Sequence, residues 1–138
     1  MAVTRVLETS VYVDDLALAE RFYREVLGLE TFTREPGRHV FFRCGDGMLL
    51  LFDPRTTATG QVVVGQAPVP RHGAVGAGHV AFGVPAPEMD GWRASLIGHG
   101  VAIESEVDWP GGGRSIYFRD PAGNSLELAT PETWGLSG

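Results

Sequence analysis

The sequence lacks several things, and each gap closes a class of function. Its 138 residues contain one cysteine, Cys44, so an internal disulfide is excluded. No apolar run approaches ~18 residues, so no helical membrane span is expected. Excess positive charge is missing too. The formal net charge is −6, whereas nucleic-acid binding wants a basic face. The first residues show no basic region followed by an apolar stretch, so no secretion signal is expected and the cytoplasm is the expected compartment. What is left is a chain of ordinary apolar content, long enough for one compact unit with a real core. A small molecule suits it as a partner, with neither nucleic acid nor membrane.

The chain is organised around Arg114–Leu128, RSIYFRDPAGNSLEL. It reads as a strand, a turn and a strand. Pro121 and Gly123 punctuate the turn, and Asp120 and Asn124 suit it by bonding their own backbone. Residues 38–52, RHVFFRCGDGMLLLF, repeat it: without a gap, Arg38 meets Arg114, Phe42 meets Phe118 and Leu50 meets Leu126. Likewise Glu8–Val13 lies over His79–Val84, with a helix-like segment after each. This is internal duplication of a module, with too few copies for a solenoid.

Each module reads as βαβββ. The first, about 3–53, starts with a strand over Val6–Val13. Asp14 or Asp15 caps a helix whose apolar stripe is Leu18, Phe22 and Val26. Glu20–Arg24 and Arg21–Glu25 read as pairs along its surface. Gly28 closes the helix. A connector rich in Gly, Pro and Thr occupies 54–78, with a short strand expected at Gln61–Val64. The second module, 79–130, starts with a strand at His79. A helix striped by Met89, Trp92 and Leu96 follows, then a strand over Val101–Val107, a Gly-rich loop after Trp109 and the strand pair already described. The tail, 131–138, is expected to be ordered in part through Trp134. The fold class is therefore α+β, two paired βαβββ modules forming a cupped sheet around a central cavity, in one domain.

Strand side chains alternate faces. With the Leu, Val and Phe positions facing the helices, the opposite face carries Glu8, Ser10, His79, Ala81, Gly83, Ser125, Glu127 and Ala129. Small residues on a sheet face leave room for a ligand. Should Glu8, His79 and Glu127 converge, two buried carboxylates would repel each other and lose hydration. A divalent cation removes both problems, and three side-chain ligands leave open positions. The plainer alternative puts both glutamates at strand ends in water and leaves His79 hydrogen-bonded in the core.

The segments VYVDDLALAERFYREVLGLE at 11–30, GHVAFGV at 78–84 and YFRDPAGNSLEL at 117–128 resemble the vicinal oxygen chelate superfamily. That superfamily takes in glyoxalase I, bleomycin and fosfomycin resistance proteins and extradiol dioxygenases, and the resemblance runs from about Val6 to Pro131. It implies one metal ligand on the first strand of each module and another on the last. Carried across, those positions are Glu8, His79 and Glu127. It implies a metal-dependent lyase, isomerase or oxygenase in which two adjacent substrate oxygens bind the cation. The alternative it offers is a metal-free protein that sequesters a small aromatic drug or metabolite. It also implies a homodimer, with the first module of one chain facing the second module of the other and the sites at the interface.

The chain departs from the family pattern in two places. The gapless repeat sets Leu51 opposite Glu127, so the fourth family position cannot ligate. Glyoxalase I-like members often place there a carboxylate that serves proton transfer. Glu8 also stands where His is common. One His and two carboxylates favour Mn, Zn, Ni or Co, with Fe still open. Glu127, His72 and Tyr117 are the candidates for catalysis, and Tyr12, Trp109 and Arg114 for substrate binding. Against these stand a solvated loop for His72, ordinary packing for Trp109 and Tyr117, and a structural role for Arg114, since Arg38 repeats it. His39 and His99 read as surface residues, and Cys44 as inert.

Overall fold

The computed structural model describes residues 1–60 and 62–136 and divides into two compact units, Met1–Gly76 and Ala77–Gly138. Each unit holds a four-stranded sheet and a ten-residue helix. The two sheets share one strand order, so the duplication read from sequence is a duplication of topology.

In the first unit the elements are β1 (Glu8–Tyr12), α1 (Leu16–Glu25), β2 (Glu30–Glu35), β3 (His39–Cys44) and β4 (Gly47–Phe52), with sheet order β1-β4-β3-β2. The Asp15 carboxylate caps α1 by accepting from the Leu18 N–H at 3.0 Å. After α1 the chain turns through Gly28 at φ 71°, a left-handed conformation in which a side chain would be strained.

The buried face of α1 differs from the expected stripe. Ala19 and Tyr23 are buried, with Val26 and Leu27 just beyond the helix, while Leu18 is 43% exposed. Tyr23 sets its ring 5.8 Å from that of Phe42 on β3. A residue one place along on a helix lies about 100° round, so the largest side chain fixed the rotation. The expected Glu20–Arg24 pair persists as an attraction between charges, without a direct contact. Glu20 instead accepts from Arg34 at 2.7 Å and from Thr31 at 2.8 Å. Burial alone would raise its carboxyl, but those hydrogen bonds, with the charges of Arg34 and Arg24, outweigh burial and hold it below the usual carboxylate range.

After β4 come a one-turn helix, α2 (Pro54–Thr57), and a hairpin of β5 (Val62–Val64) and β6 (Ala67–Val69). The expected strand at Gln61–Val64 is therefore present from Val62. Gln61 lies outside the described residues.

In the second unit the order is β7 (His79–Gly83), α3 (Met89–Gly98), β8 (Ser105–Asp108), β9 (Arg114–Arg119) and β10 (Ser125–Ala129), and the sheet runs β7-β10-β9-β8. Strand β8 starts at Ser105, not Val101 as expected: the ladder to β9 runs from Ser105, and ahead of it the Glu104 N–H donates to Tyr117 O at 2.8 Å. Met89, Leu96, Ile116, Phe118, Leu126 and Leu128 fill the core at 0–1% exposure. Trp92 is only half-buried, so the α3 stripe is narrower than expected. The tail forms a short 3-10 turn over Pro131–Trp134, but Trp134 is 79% exposed and is not its anchor. Backbone bonds hold this turn, from Thr133 N–H to Thr130 O and from Leu136 N–H to Pro131 O.

The gapless repeat is corrected by one residue. Phe42 pairs with Leu49, whereas Phe118 pairs with Leu126. The connection from Phe42 to Leu49 is one residue shorter than the connection from Phe118 to Leu126. Leu50 is therefore the counterpart of Glu127: it pairs with Ser10 and Phe41 as Glu127 pairs with Ala81 and Tyr117. Leu51 points into the core at 0% exposure.

Candidate functional site

The second unit assembles a connected polar cluster. The turn after β9 sets it up. The Asp120 carboxylate accepts from the N–H groups of Ala122 and Asn124, each at 2.9 Å, and the Asn124 side-chain amide donates back to it. Asn124 Oδ1 in turn accepts from the Gly78 N–H at 2.7 Å. The turn thereby aligns the starts of β10 and β7, and His79 comes beside Ser125. Strand alternation then puts His79, Ala81, Ser125, Glu127, Ser115 and Tyr117 on one face.

On that face His79 and Glu127 meet, with Nε2 3.2 Å from Oε1. The His79 Nδ1–H donates to the Ser125 carbonyl at 2.9 Å, since a carbonyl only accepts. Nε2 is therefore the nitrogen turned to the carboxylate, and the two are reconciled by a second ring proton or by a shared cation. Glu127 is 7% exposed. Its other oxygen, Oε2, accepts from the Ser115 hydroxyl at 2.5 Å, and Ser115 Oγ accepts from the Trp109 indole N–H at 2.9 Å. Tyr117 lies across the strand pair from Glu127, and its ring stacks beside His79 at 6.3 Å. Burial, then the charge of Glu127, pushes its phenol up, so it stays protonated.

Trp109 reaches Ser115 because its loop is tightly folded, its N–H donating to Gly113 O at 3.0 Å. Gly113 has φ 91°, and a Cβ there would collide with Thr133. Sequence reasoning missed Ser115, although its parity with Tyr117 on β9 was the available signal. Arg114 alternates to the other face. Its guanidinium lies 3.1 Å from Asp90 and 3.5 Å from Asp108.

The first unit builds a different environment. Glu8, Ser10 and Tyr12 share the sheet face with Phe41, Leu50 and Phe52, and with Arg38 and His72 they line a cavity of about 560 Å³. The His72 N–H donates to Thr57 O at 3.1 Å, which brings the connector back over the sheet. The His72 ring meets Phe52 edge-on at 4.6 Å, and its Nδ1 lies 2.6 Å from the Tyr12 hydroxyl. The solvated-loop alternative for His72 does not describe this ring. His39, expected at the surface, is a correction: it stacks on Phe41 at 3.9 Å and its side chain is 11% exposed. An aromatic neighbour two residues along a strand shares its face, and that covers it. His99 stays exposed. Burial pushes the Cys44 thiol up, which keeps it a poor nucleophile.

Among the described residues no three His, Cys, Asp or Glu side chains gather closely enough to hold a metal. His79 and Glu127 make a two-donor set within one unit, and Glu8 sits in the other. The pair fits a divalent cation by its chemistry. An imidazole with Nδ1 tied to a carbonyl presents Nε2 as a ligand, and a carboxylate with one oxygen held by a hydroxyl presents the other.

The model for the glyoxalase/bleomycin resistance protein/dioxygenase superfamily matches residues 5–128. The chain belongs to that superfamily. A solved lactoylglutathione lyase from Agrobacterium tumefaciens is 43% identical, with TM-score 0.90, over 99% of this chain and 100% of that one. A superfamily member from Nocardioides is 25% identical, with TM-score 0.69, over 94% of this chain and 85% of that one. A fosfomycin resistance protein from Mesorhizobium loti shares the fold at 21% identity and TM-score 0.62, over 94% of this chain and 93% of that one. Superfamily members typically bind a divalent metal and act on small molecules. No described helix of this member is long and apolar enough to cross a membrane.

Proposed function

We propose that the chain is a metal-dependent enzyme of the glyoxalase type, acting on a small substrate with two adjacent oxygens. The observation that carries this reading is the His79 Nε2–Glu127 Oε1 approach at 3.2 Å, with the far side of each group tied down. Glu8 completes the ligand set across the interface of a homodimer. When bound, the divalent cation (Mn, Zn, Ni, Co or Fe) supplies Lewis acidity toward the two substrate oxygens.

The residues around it have separate tasks. Ser115, anchored by Trp109, holds Glu127 in one rotamer. Tyr117 keeps its proton and offers an O–H donor beside Glu127. The Tyr12 hydroxyl and His72 Nδ1, 2.6 Å apart, place a hydrogen-bonded phenol and imidazole on the wall of the other unit's cavity. Leu50 stands where a fourth ligating carboxylate would be, so proton transfer falls to these groups. The 43% identity to a lactoylglutathione lyase supports the lyase or isomerase branch.

The test is metal analysis of protein purified without chelator, alongside Glu127→Ala. One divalent metal per chain is expected in the parent, and little in the variant. Absence of stoichiometric metal from both would end the reading. The second reading, a metal-free protein that sequesters an aromatic drug or metabolite, is favoured by the aromatic walls around Phe41 and Phe52. Ligand binding unchanged by both EDTA and Glu127→Ala, in protein without catalytic turnover, would select it.

A further inference from the structure

The cavity of the first unit has a chemistry that metal binding leaves unused. Phe41, Phe52, Leu50, Val62 and Val69 give it apolar walls, and Arg38 sets a cation among them. Arg38 Nη1 donates to His39 Nδ1 at 2.7 Å, and the guanidinium carbon lies 5.4 Å from the centre of the Phe52 ring. Burial, then the Arg38 charge, lowers the His39 pKa, so this imidazole is a neutral acceptor. Among the described residues no carboxylate lies within ion-pair distance of Arg38. An adjoining cavity of about 200 Å³ is lined by Arg71 and by Glu35, whose Oε2 lies 3.8 Å from His39 Nδ1 on a side chain 62% exposed to screening water. The Tyr12 hydroxyl and His72 Nδ1 are engaged with each other. The exposed Glu8 is assigned to the metal. A half-buried guanidinium with spare donors and no carboxylate in ion-pair distance is a site for an anion.

We propose that this cavity is a subsite for a small organic carboxylate with a flat, apolar body. The body lies against Phe41 and Phe52, and the carboxylate pairs with Arg38. This deepens the proposed function and rests on it for the idea that the open sheet face receives the substrate.

Cinnamate and cinnamamide have the same flat body and differ in charge. Each is titrated calorimetrically into EDTA-treated protein and into the Arg38→Gln, Arg38→Lys and Arg93→Gln variants, with circular dichroism confirming that each variant is folded. Cinnamate should bind saturably and about tenfold more tightly than cinnamamide, the scale of one charge-assisted pair. Arg38→Gln should erase that preference and Arg93→Gln should keep it. Arg38→Lys should keep part of it, and it carries the comparison if the glutamine variant fails to fold. Three results would each overturn the subsite: no saturable cinnamate binding, equal affinity for acid and amide, or a preference that survives Arg38→Gln. A preference that appears only when metal is restored makes the cation the anchor. The subsite then falls while the metal reading stands. An Arg38-dependent preference in protein that never holds metal has the opposite meaning.

Discussion

Ser115 shows how one hydroxyl can govern a site. It accepts a hydrogen bond from the Trp109 indole and donates its own to Glu127, which has almost no water to turn to. Replacing it by Ala strands a buried carboxylate oxygen and an indole N–H together. Ser115→Ala should lower stability by about 1–3 kcal/mol, the cost of unsatisfied buried polar groups, in urea unfolding of metal-free protein. An unchanged midpoint would mean that water replaces the hydroxyl. At this scale the sequence was partly legible. Parity put His79 and Glu127 on one face, and their meeting confirms the parity. The Trp109–Ser115 link was not legible, because it depends on a loop closed by Gly113, and loop closure leaves no periodic trace.

Elements were legible in kind and less so in rotation. The capping Asp15 and the closing Gly28 marked the ends of α1. Val26 is buried as expected, but the stripe was misplaced at Leu18 and Phe22, which with Val26 recur at four-residue spacing as convincingly as Ala19 and Tyr23. What decided was the fit of the Tyr23 ring against Phe42 across the sheet, a long-range contact that helix periodicity does not encode. The two sites should therefore respond differently. Tyr23→Ala should cost about 3–5 kcal/mol, as for a large buried ring. Leu18→Ala should stay within about 0.5 kcal/mol, as for a surface position. Chemical denaturation of the two variants side by side checks this, and equal losses would restore the original stripe. The slipped repeat has a similar origin. A two-residue turn at Gly45 and Asp46 replaces a longer one, and aligned letters cannot reveal a deletion where Leu follows Leu follows Leu.

At the scale of the molecule, the duplication and the superfamily were legible because two modules repeat the same strand order and carry the same punctuation. No local pattern records how one module is placed against another. The metal proposal needs Glu8 from one module beside His79 and Glu127 from another, and a symmetric dimer gives two such sites. Sedimentation equilibrium should give twice the chain mass of 14.8 kDa. A monomer that still holds metal would remove the shared-site arrangement and leave the His79–Glu127 pair intact.

The strand order has one more consequence, for synthesis. In both sheets the last strand made, β4 or β10, is interior and separates the first strand from the rest. Until Leu128 has left the ribosome, β7 has no neighbour to bond with, and its backbone groups wait in water. Each half of the nascent chain therefore stays open, with an exposed strand edge, until β4 or β10 is made, and then closes in a single insertion. A stop codon at Ser125 would leave a polypeptide with most of its mass and none of the pairing that β7 makes with β10.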